Sequence, residues 1–455
     1  MKFLVPDPDK AYITNQLLLP RKHIREAQIK AVLQFWTQGQ ESEFVQMWRE
    51  TEDHLVVPRE FIKSNEYTRW PFPFVDATPK VFRRVCIESD IIPRNEDQAA
   101  AMNAMAQNSC GILNLSCGKG KTVIALNLMA KLKVPTLVIV HNSSLITQWR
   151  NRINEHLRVE GGIGLVQKNE FDWDRPVALA MIHTLANKAS LWPADFRRHW
   201  GLVIYDEVHH LAAPVFSRTA PLFYGKRYGL TATPDREDGR ESVFKNHLGR
   251  IFYVDRSQDL IPRVYFMKMP TLVDTANQAV MEEVTDKMGQ INLARLRNWL
   301  GRNEERNGIL SMHVRRLMRE GRRILALSHS VEHLELMHER FPDSGLCVGK
   351  VDQDERIQAL ENHQVVFATV QIAAEGLDEP RLDTLYVMTP FGSQNWIEQA
   401  MGRTQRERTG KQHPLVVVAD DHNIPKCAKV CRKARTSFRS LGYDYRIIDW
   451  SQNPR

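Results

Sequence analysis

Gly111-Ile-Leu-Asn-Leu-Ser-Cys-Gly-Lys-Gly-Lys-Thr122 is an apolar run that breaks abruptly into glycine and lysine, and Ile124, Leu128 and Leu132 then recur on one helical face. The order is strand, tight loop, helix. Gly118 and Gly120 let the loop turn its N–H groups inward around phosphate oxygens, and the N-terminal end of the following helix faces the same anion. Ser116, Cys117, Gly118, Lys119, Gly120, Lys121 and Thr122 are therefore candidate ATP-binding residues. Lys121 brings a point charge to the β- and γ-phosphates, and Thr122 offers a hydroxyl to Mg²⁺. The usual phosphate-loop pattern has a glycine where this chain has Leu115.

Farther along, the apolar run Leu202–Tyr205 ends in Asp206, Glu207, Val208 and His209. Two carboxylates leaving a strand that shares a sheet with a phosphate loop have distinct uses: Asp206 holds Mg²⁺, and Glu207 orients and deprotonates the attacking water. Thr231, Ala232, Thr233 and Pro234 follow the next strand, where small hydroxyls can bond the acidic pair.

Around these motifs, short apolar runs alternate with amphipathic segments: Gly111–Leu115, Thr136–Val140, Val177–Met181, Leu202–Tyr205 and Tyr228–Leu230. A second series runs through Arg323–Leu327, Gly345–Val348, Val365–Ala368, Thr384–Met388 and Leu415–Val418. Each series predicts βαβ units around a buried parallel sheet, so the fold class is α/β with two tandem parallel-sheet domains. Residues 88–257 form the first of these, 258–305 a connector beginning with a strand at Arg263–Met267, and 306–455 the second. Residues 1–87 read as a small α+β domain, with a helix over Arg21–Trp36 whose Arg21, Lys22, His23, Arg25 and Lys30 could meet phosphates.

In the second domain, Thr369 and the loop Glu375-Gly376-Leu377-Asp378 follow a strand and are placed to touch nucleotide and nucleic-acid backbone. Gln399, Gly402, Arg403 and Arg406 then set two guanidiniums on one helical face, a spacing that suits arginine fingers on a γ-phosphate. Basic runs at Arg315, Arg316, Arg319, Arg322 and Arg323, and at Lys426, Lys429, Arg432, Lys433, Arg435 and Arg439, are either solvated faces or a polyanion track.

Composition bounds the rest. The 455 residues are 43% hydrophobic and 25% charged, with a net charge of +8 that favours a polyanionic partner without proving one. No run approaches membrane-spanning length, and Met1–Lys10 lacks the apolar core of a secretory signal, so the expectation is a cytoplasmic protein without membrane contact. Six scattered cysteines argue against a disulfide framework; Cys427 and Cys431, one helical turn apart, read as helix packing and not as a metal site.

The series Gly118–Thr122, Asp206–His209, Thr231–Thr233, Glu375–Asp378 and Gln399–Arg406 resembles motifs I, II, III, V and VI of superfamily 2 helicases, and covers most of the chain beyond residue 88. Gly229-Leu-Thr-Ala-Thr-Pro-Asp-Arg-Glu-Asp238 is similar to the xeroderma pigmentosum group B helicases and phage UvsW-type helicases. In that group the Arg-Glu-Asp element, here Arg236, Glu237 and Asp238, is implicated in duplex unwinding. The resemblance further implies that the two tandem α/β domains are RecA-like, that Gln98 reads adenine, that Ser144 and Gln148 (motif Ia), His183 and Thr184 (Ib) and Ser328 with His329 (IV) meet nucleic acid, and that the motor works on DNA; the alternatives are an RNA-dependent ATPase or RNA helicase, and a non-catalytic nucleic-acid clamp. A monomer is expected.

Overall fold

The computed structural model describes residues 6–37, 43–65, 70–79, 82–116, 118–232, 239–255, 261–349, 351, 353–375, 381–392, 397 and 412–451. Cys117, Thr233, Pro234, Arg236, Glu237, Asp238, Gly376, Leu377, Asp378, Gln399, Gly402, Arg403 and Arg406 lie outside the described residues. The chain divides into two compact units, Met1–Arg256 and Ser257–Arg455.

The centre of the first unit is an eight-stranded sheet. Its order is Glu170–Phe171, Ile163–Gln167, Val177–Met181, Thr136–Val140, Leu202–Tyr205, Lys226–Thr231, Gly111–Leu115 and Ile251–Asp255. All neighbours are parallel except the first pair. The strands are apolar on both sides because both sides are covered. Leu113, Leu115, Val138 and Val140 face one core with Ile124 and Trp149, whereas Ile112, Leu137 and Ile139 face another with Phe196 and Trp200. Parallel strands point their C-terminal ends to one edge, and there the phosphate loop and the acidic pair emerge.

Residues 11–76 build a second, five-stranded sheet in the order Arg49–Glu50, His54–Val57, Leu17–Pro20, Ala11–Ile13 and Phe74–Asp76. It packs around Leu17, Leu19, Leu55, Val57 and Phe61 and is tied to the large sheet by hydrogen bonds. The buried guanidinium of Arg227 donates to the carbonyls of Asn15 and Phe223, and Asn65 Nδ2 donates to Asn246 Oδ1 at 2.8 Å. The expected Arg21–Trp36 helix is shorter: an α-helix covers only Glu26–Val32, preceded by a 3₁₀ turn at Arg21–His23. Gln34–Trp36 is instead a strand paired antiparallel with the nearby Phe44–Gln46, where Phe35 and Trp36 favour extended backbone. The cations of that segment are also less available than expected, since Arg21 pairs with Glu26 at 2.7 Å and Lys30 with Glu26 at 2.8 Å.

In the second unit seven parallel strands follow the order Gly345–Cys347, Val365–Thr369, Ile324–Ser328, Thr384–Val387, Leu415–Asp420, Arg263–Lys268 and Tyr445–Asp449. This corrects the connector expected at 258–305. Strand Arg263–Lys268 is an interior strand of this sheet, with Val264 and Phe266 on one core face and Tyr265 and Met267 on the other. Both of its partners come from the far end of the chain, so nothing local announces the pairing. Helices Gln278–Val284 and Leu293–Arg302 complete the segment, each capped by an asparagine side chain. Cys427 and Cys431 are both fully buried on helix Pro425–Ser440.

Candidate active site

Gly118 and Gly120 sit at φ 85° and 80°, in the left-handed region where a side chain is strained, and Gly120 caps helix Lys121–Leu132. A Cβ at Gly120 would lie 2.4 Å from Gln98 Nε2, so the glycine is also required by the close approach of that side chain. Gln98 is buried at the start of helix Glu96–Gln107, and its Oε1 accepts from the Arg94 N–H at 2.8 Å. Gln98 thus lies against the phosphate loop, beside a small recess lined by Arg94, Ala101, Leu115, Lys119 and Asp255. Ser116 donates its N–H to the Asp255 carbonyl at 3.0 Å, and Lys119 Nζ is 3.9 Å from Asp255 Oδ2. Lys121 folds back so that Nζ donates to the Leu115 carbonyl at 3.0 Å, at the C-terminal edge of the strand.

Opposite this loop, Asp206 and Glu207 leave the end of strand Leu202–Tyr205 in two different environments. Asp206 accepts from the Trp149 indole Nε1–H at 2.7 Å and from the Glu207 N–H at 3.0 Å. Burial, then the neighbouring Glu207 charge, pushes the Asp206 carboxyl well above the usual carboxylate range; the Trp149 bond and the Lys121 charge oppose the rise. Glu207 has φ 46° and ψ 57°, a left-handed conformation uncommon for a residue with a side chain and of the kind that accumulates at functional sites. Its Oε2 lies 3.5 Å from His209 Nδ1, which is 3.3 Å from Thr231 Oγ1. A chain of polar groups therefore runs from Glu207 through His209 to Thr231, at the end of the neighbouring strand.

Trp149 and the His209–Thr231 link are the parts of the site that sequence reading misses. Trp149 is separated from Asp206 by 57 positions, and an indole inside an amphipathic helix reads as core. Thr122 and Asp206 are hard oxygen donors suited to Mg²⁺, which takes few protein ligands and completes its shell with phosphate oxygens and water.

The Asp206 environment gives a pH prediction. Holding a cation requires the ionised carboxylate, so the acid limb of kcat/KM for ATP is expected at higher pH than an ordinary carboxylate would give. Trp149→Phe removes a bond to the charged form and should move that limb further up, by roughly one pH unit. An unmoved limb in the variant would show that the indole does not tune Asp206.

The proposed nucleic-acid contacts fare unevenly. Ser144 Oγ donates to Asn142 Oδ1 at 2.8 Å within the cap of helix Ser143–His156, and Gln148 is half-buried one turn further along. His183 is exposed with its ring edge-on to Phe216, and Thr184 Oγ1 accepts from the Lys168 N–H at 3.0 Å. Two expectations need correction. Ser328 is fully buried, accepting from the Ser330 N–H at 3.1 Å and bonding His333 Nδ1 at 3.0 Å. Burial pushes His333 down to about 3, so the ring stays neutral; Asn307 Nδ2 donates to the Gly301 carbonyl, leaving Oδ1 to accept from His333 Nε2. Nδ1 of that ring must then accept the Ser328 hydroxyl proton, which commits Ser328 to holding the helix and not to a ligand. Thr369 is also buried, with Oγ1 3.4 Å from the Ile372 N–H in a helix-capping position.

Residues 89–236 match the family described as "Type III restriction enzyme, res subunit". The DNA 3'-5' translocase XPB2 of Sulfurisphaera tokodaii is 24% identical over 79% of this chain and 86% of its own length. Two viral proteins carry provisional helicase names. One is the ATP-dependent RNA helicase L396 of Acanthamoeba polyphaga mimivirus, 24% identical over 75% of this chain and 66% of its own. The other is helicase D10 of Escherichia phage T5, 27% identical over 71% and 70%. Among solved structures, S. cerevisiae Dbp5 superposes with a TM-score of 0.56 at 10% identity, over 78% of this chain and 90% of its own, a likeness of fold alone.

Fold and site resemble those of superfamily 2 helicases, and the comparisons support an ATP-dependent enzyme that works on nucleic acid. Within that class the chain resembles the XPB type and its phage and viral counterparts. No helix among the described residues is long and apolar enough to cross a membrane.

Proposed function

We propose that this chain is a DNA motor that couples ATP hydrolysis to unwinding, or to branch migration of forked and recombination intermediates. The observation that carries this reading is the convergence of Lys121 with Asp206 and Glu207 at one edge of a parallel sheet, with Trp149 on one carboxylate and His209 beside the other. Lys121 grips the β/γ-phosphates, Gln98 reads the adenine, and Thr122 with Asp206 holds Mg²⁺. Glu207 takes the proton of the attacking water, and Arg403 and Arg406 neutralise charge on the γ-phosphate, a contribution typically worth about 10³–10⁵ in rate. Ser144, Gln148, His183, Thr184 and Arg236 contact the nucleic-acid backbone, which gives selectivity for shape over sequence.

Arg236-Glu237-Asp238 and the translocase relative favour DNA. The RNA helicase name of the mimivirus relative supports a second reading, RNA unwinding, because the motor core does not itself distinguish the sugars. Strand displacement on forked DNA, a four-way junction and an RNA duplex at one salt concentration separates the two. ATP-dependent opening of the DNA forms is expected, and displacement of RNA alone would overturn the DNA assignment.

A further inference from the structure

We infer that the outer face of helix Pro425–Ser440 is a phosphate rail on which the nucleic-acid backbone rests. The helix sequence, PKCAKVCRKARTSFRS, carries six Lys or Arg and no Asp or Glu. Cys427, Cys431, Ala434 and Phe438 are fully buried, which fixes how the helix is rotated about its axis. Lys426, Lys429, Arg432, Lys433 and Arg439 are all exposed, and at about 100° per residue they fall within an arc of about 140°. From Lys426 to Arg439 the ridge is about 20 Å long, the axial rise of roughly six phosphates on one duplex strand.

What separates this face from an ordinary solvated one is where its charges go. Several basic side chains elsewhere in the same unit are already engaged. Arg315 donates to the Arg340 carbonyl at 3.0 Å and lies over Phe341, Arg316 is 3.7 Å from Glu320, and Arg322 is 3.3 Å from Asp383. Arg323 donates to the carbonyls of Leu360, Glu361 and His363. On helix Pro425–Ser440, Arg435 pairs with Asp420 at 3.6 Å and lies toward the buried side, over the Phe266 ring. No described carboxylate comes within ion-pair distance of Lys426, Lys429, Arg432 or Arg439, and the Arg439 guanidinium lies over the Tyr445 ring, 4.9 Å from its centroid. Like charges one turn apart repel along the helix, a repulsion that a polyanion would relieve. The complementary occupant is a phosphodiester backbone, given that the class of enzyme works on nucleic acid, and the inference rests on that reading.

The test is equilibrium binding of full-length protein to fluorescein-labelled single-stranded and duplex DNA, followed by anisotropy across a salt series without nucleotide. For Lys426→Gln/Lys429→Gln/Arg432→Gln the slope of log K against log salt should fall by about 2 to 3, with affinity down about fifty- to two-hundred-fold near physiological salt. Basal ATP turnover and the melting temperature should be unchanged. Arg316→Gln, which removes one charge already paired elsewhere, should leave the slope alone. A wild-type slope in the triple variant, or a loss in Arg316→Gln equal to one third of the triple effect, overturns the rail. Absence of binding by the wild-type protein contradicts the nucleic-acid reading itself, and the rail falls with it.

Discussion

Glu207→Gln is expected to bind ATP as the wild type does and to lose about 10²–10⁴ of its turnover. The amide keeps the size of the carboxylate and can still hydrogen-bond a water, but it cannot take that water's proton. Binding should survive because the groups that grip phosphate are elsewhere: Lys121, and the loop N–H groups oriented by Gly118 and Gly120. The strained backbone at Glu207 sharpens the expectation. A left-handed residue costs of order 1–3 kcal/mol, and here it aims a carboxylate within 3.5 Å of His209. Fluorescent-nucleotide titration beside steady-state hydrolysis checks both halves. Turnover within a few-fold of wild type would remove Glu207 from the chemistry.

The largest effect on stability is expected in the second unit, at Asp421. Arg306 and Asp421 are both fully buried and meet through two hydrogen bonds of 2.9 Å, while the same guanidinium also donates to the Met388 carbonyl. Asp421→Ala leaves that cation buried without its counter-charge, which costs about 3–5 kcal/mol. For a unit of this size the loss corresponds to a fall in melting temperature of roughly 6–20 °C. Replacing both partners, Arg306→Met with Asp421→Ala, removes the unpaired charge and should recover much of the loss. Thermal and urea unfolding of the full chain, followed by probes in each unit, reads this out. A single variant as stable as wild type, or a double variant no better than the single, would contradict it.

Sequence patterning made the two parallel sheets legible because their strands are short runs of β-branched and aliphatic residues, apolar on both faces and bounded by turns. Thr136–Val140, Val177–Met181 and Leu202–Tyr205 fall where the runs place them. Strands with weaker patterns escape notice: Ile163–Gln167 contains a glycine, and Ile251–Asp255 is a half-exposed edge. Arg263–Lys268 does have strand character, yet its place inside the second sheet depends on partners at Leu415 and Tyr445 that no local window contains. The site divides in the same way. Lys121, Asp206 and Glu207 announce themselves because their chemistry needs adjacent residues after a strand. Trp149 becomes visible only when helix and sheet come together, and Ser328 looks like a ligand in the chain while the fold spends it on His333.

Steady-state ATP hydrolysis by the full chain, measured alone and with single-stranded, duplex and branched DNA and with RNA at one salt concentration, tests the central claim most directly. Turnover should rise about tenfold or more with nucleic acid, most with branched DNA, and should be lower by about 10²–10⁴ in Glu207→Gln under every condition. Hydrolysis that is absent throughout, or indifferent to every nucleic acid, would contradict a motor working through this site.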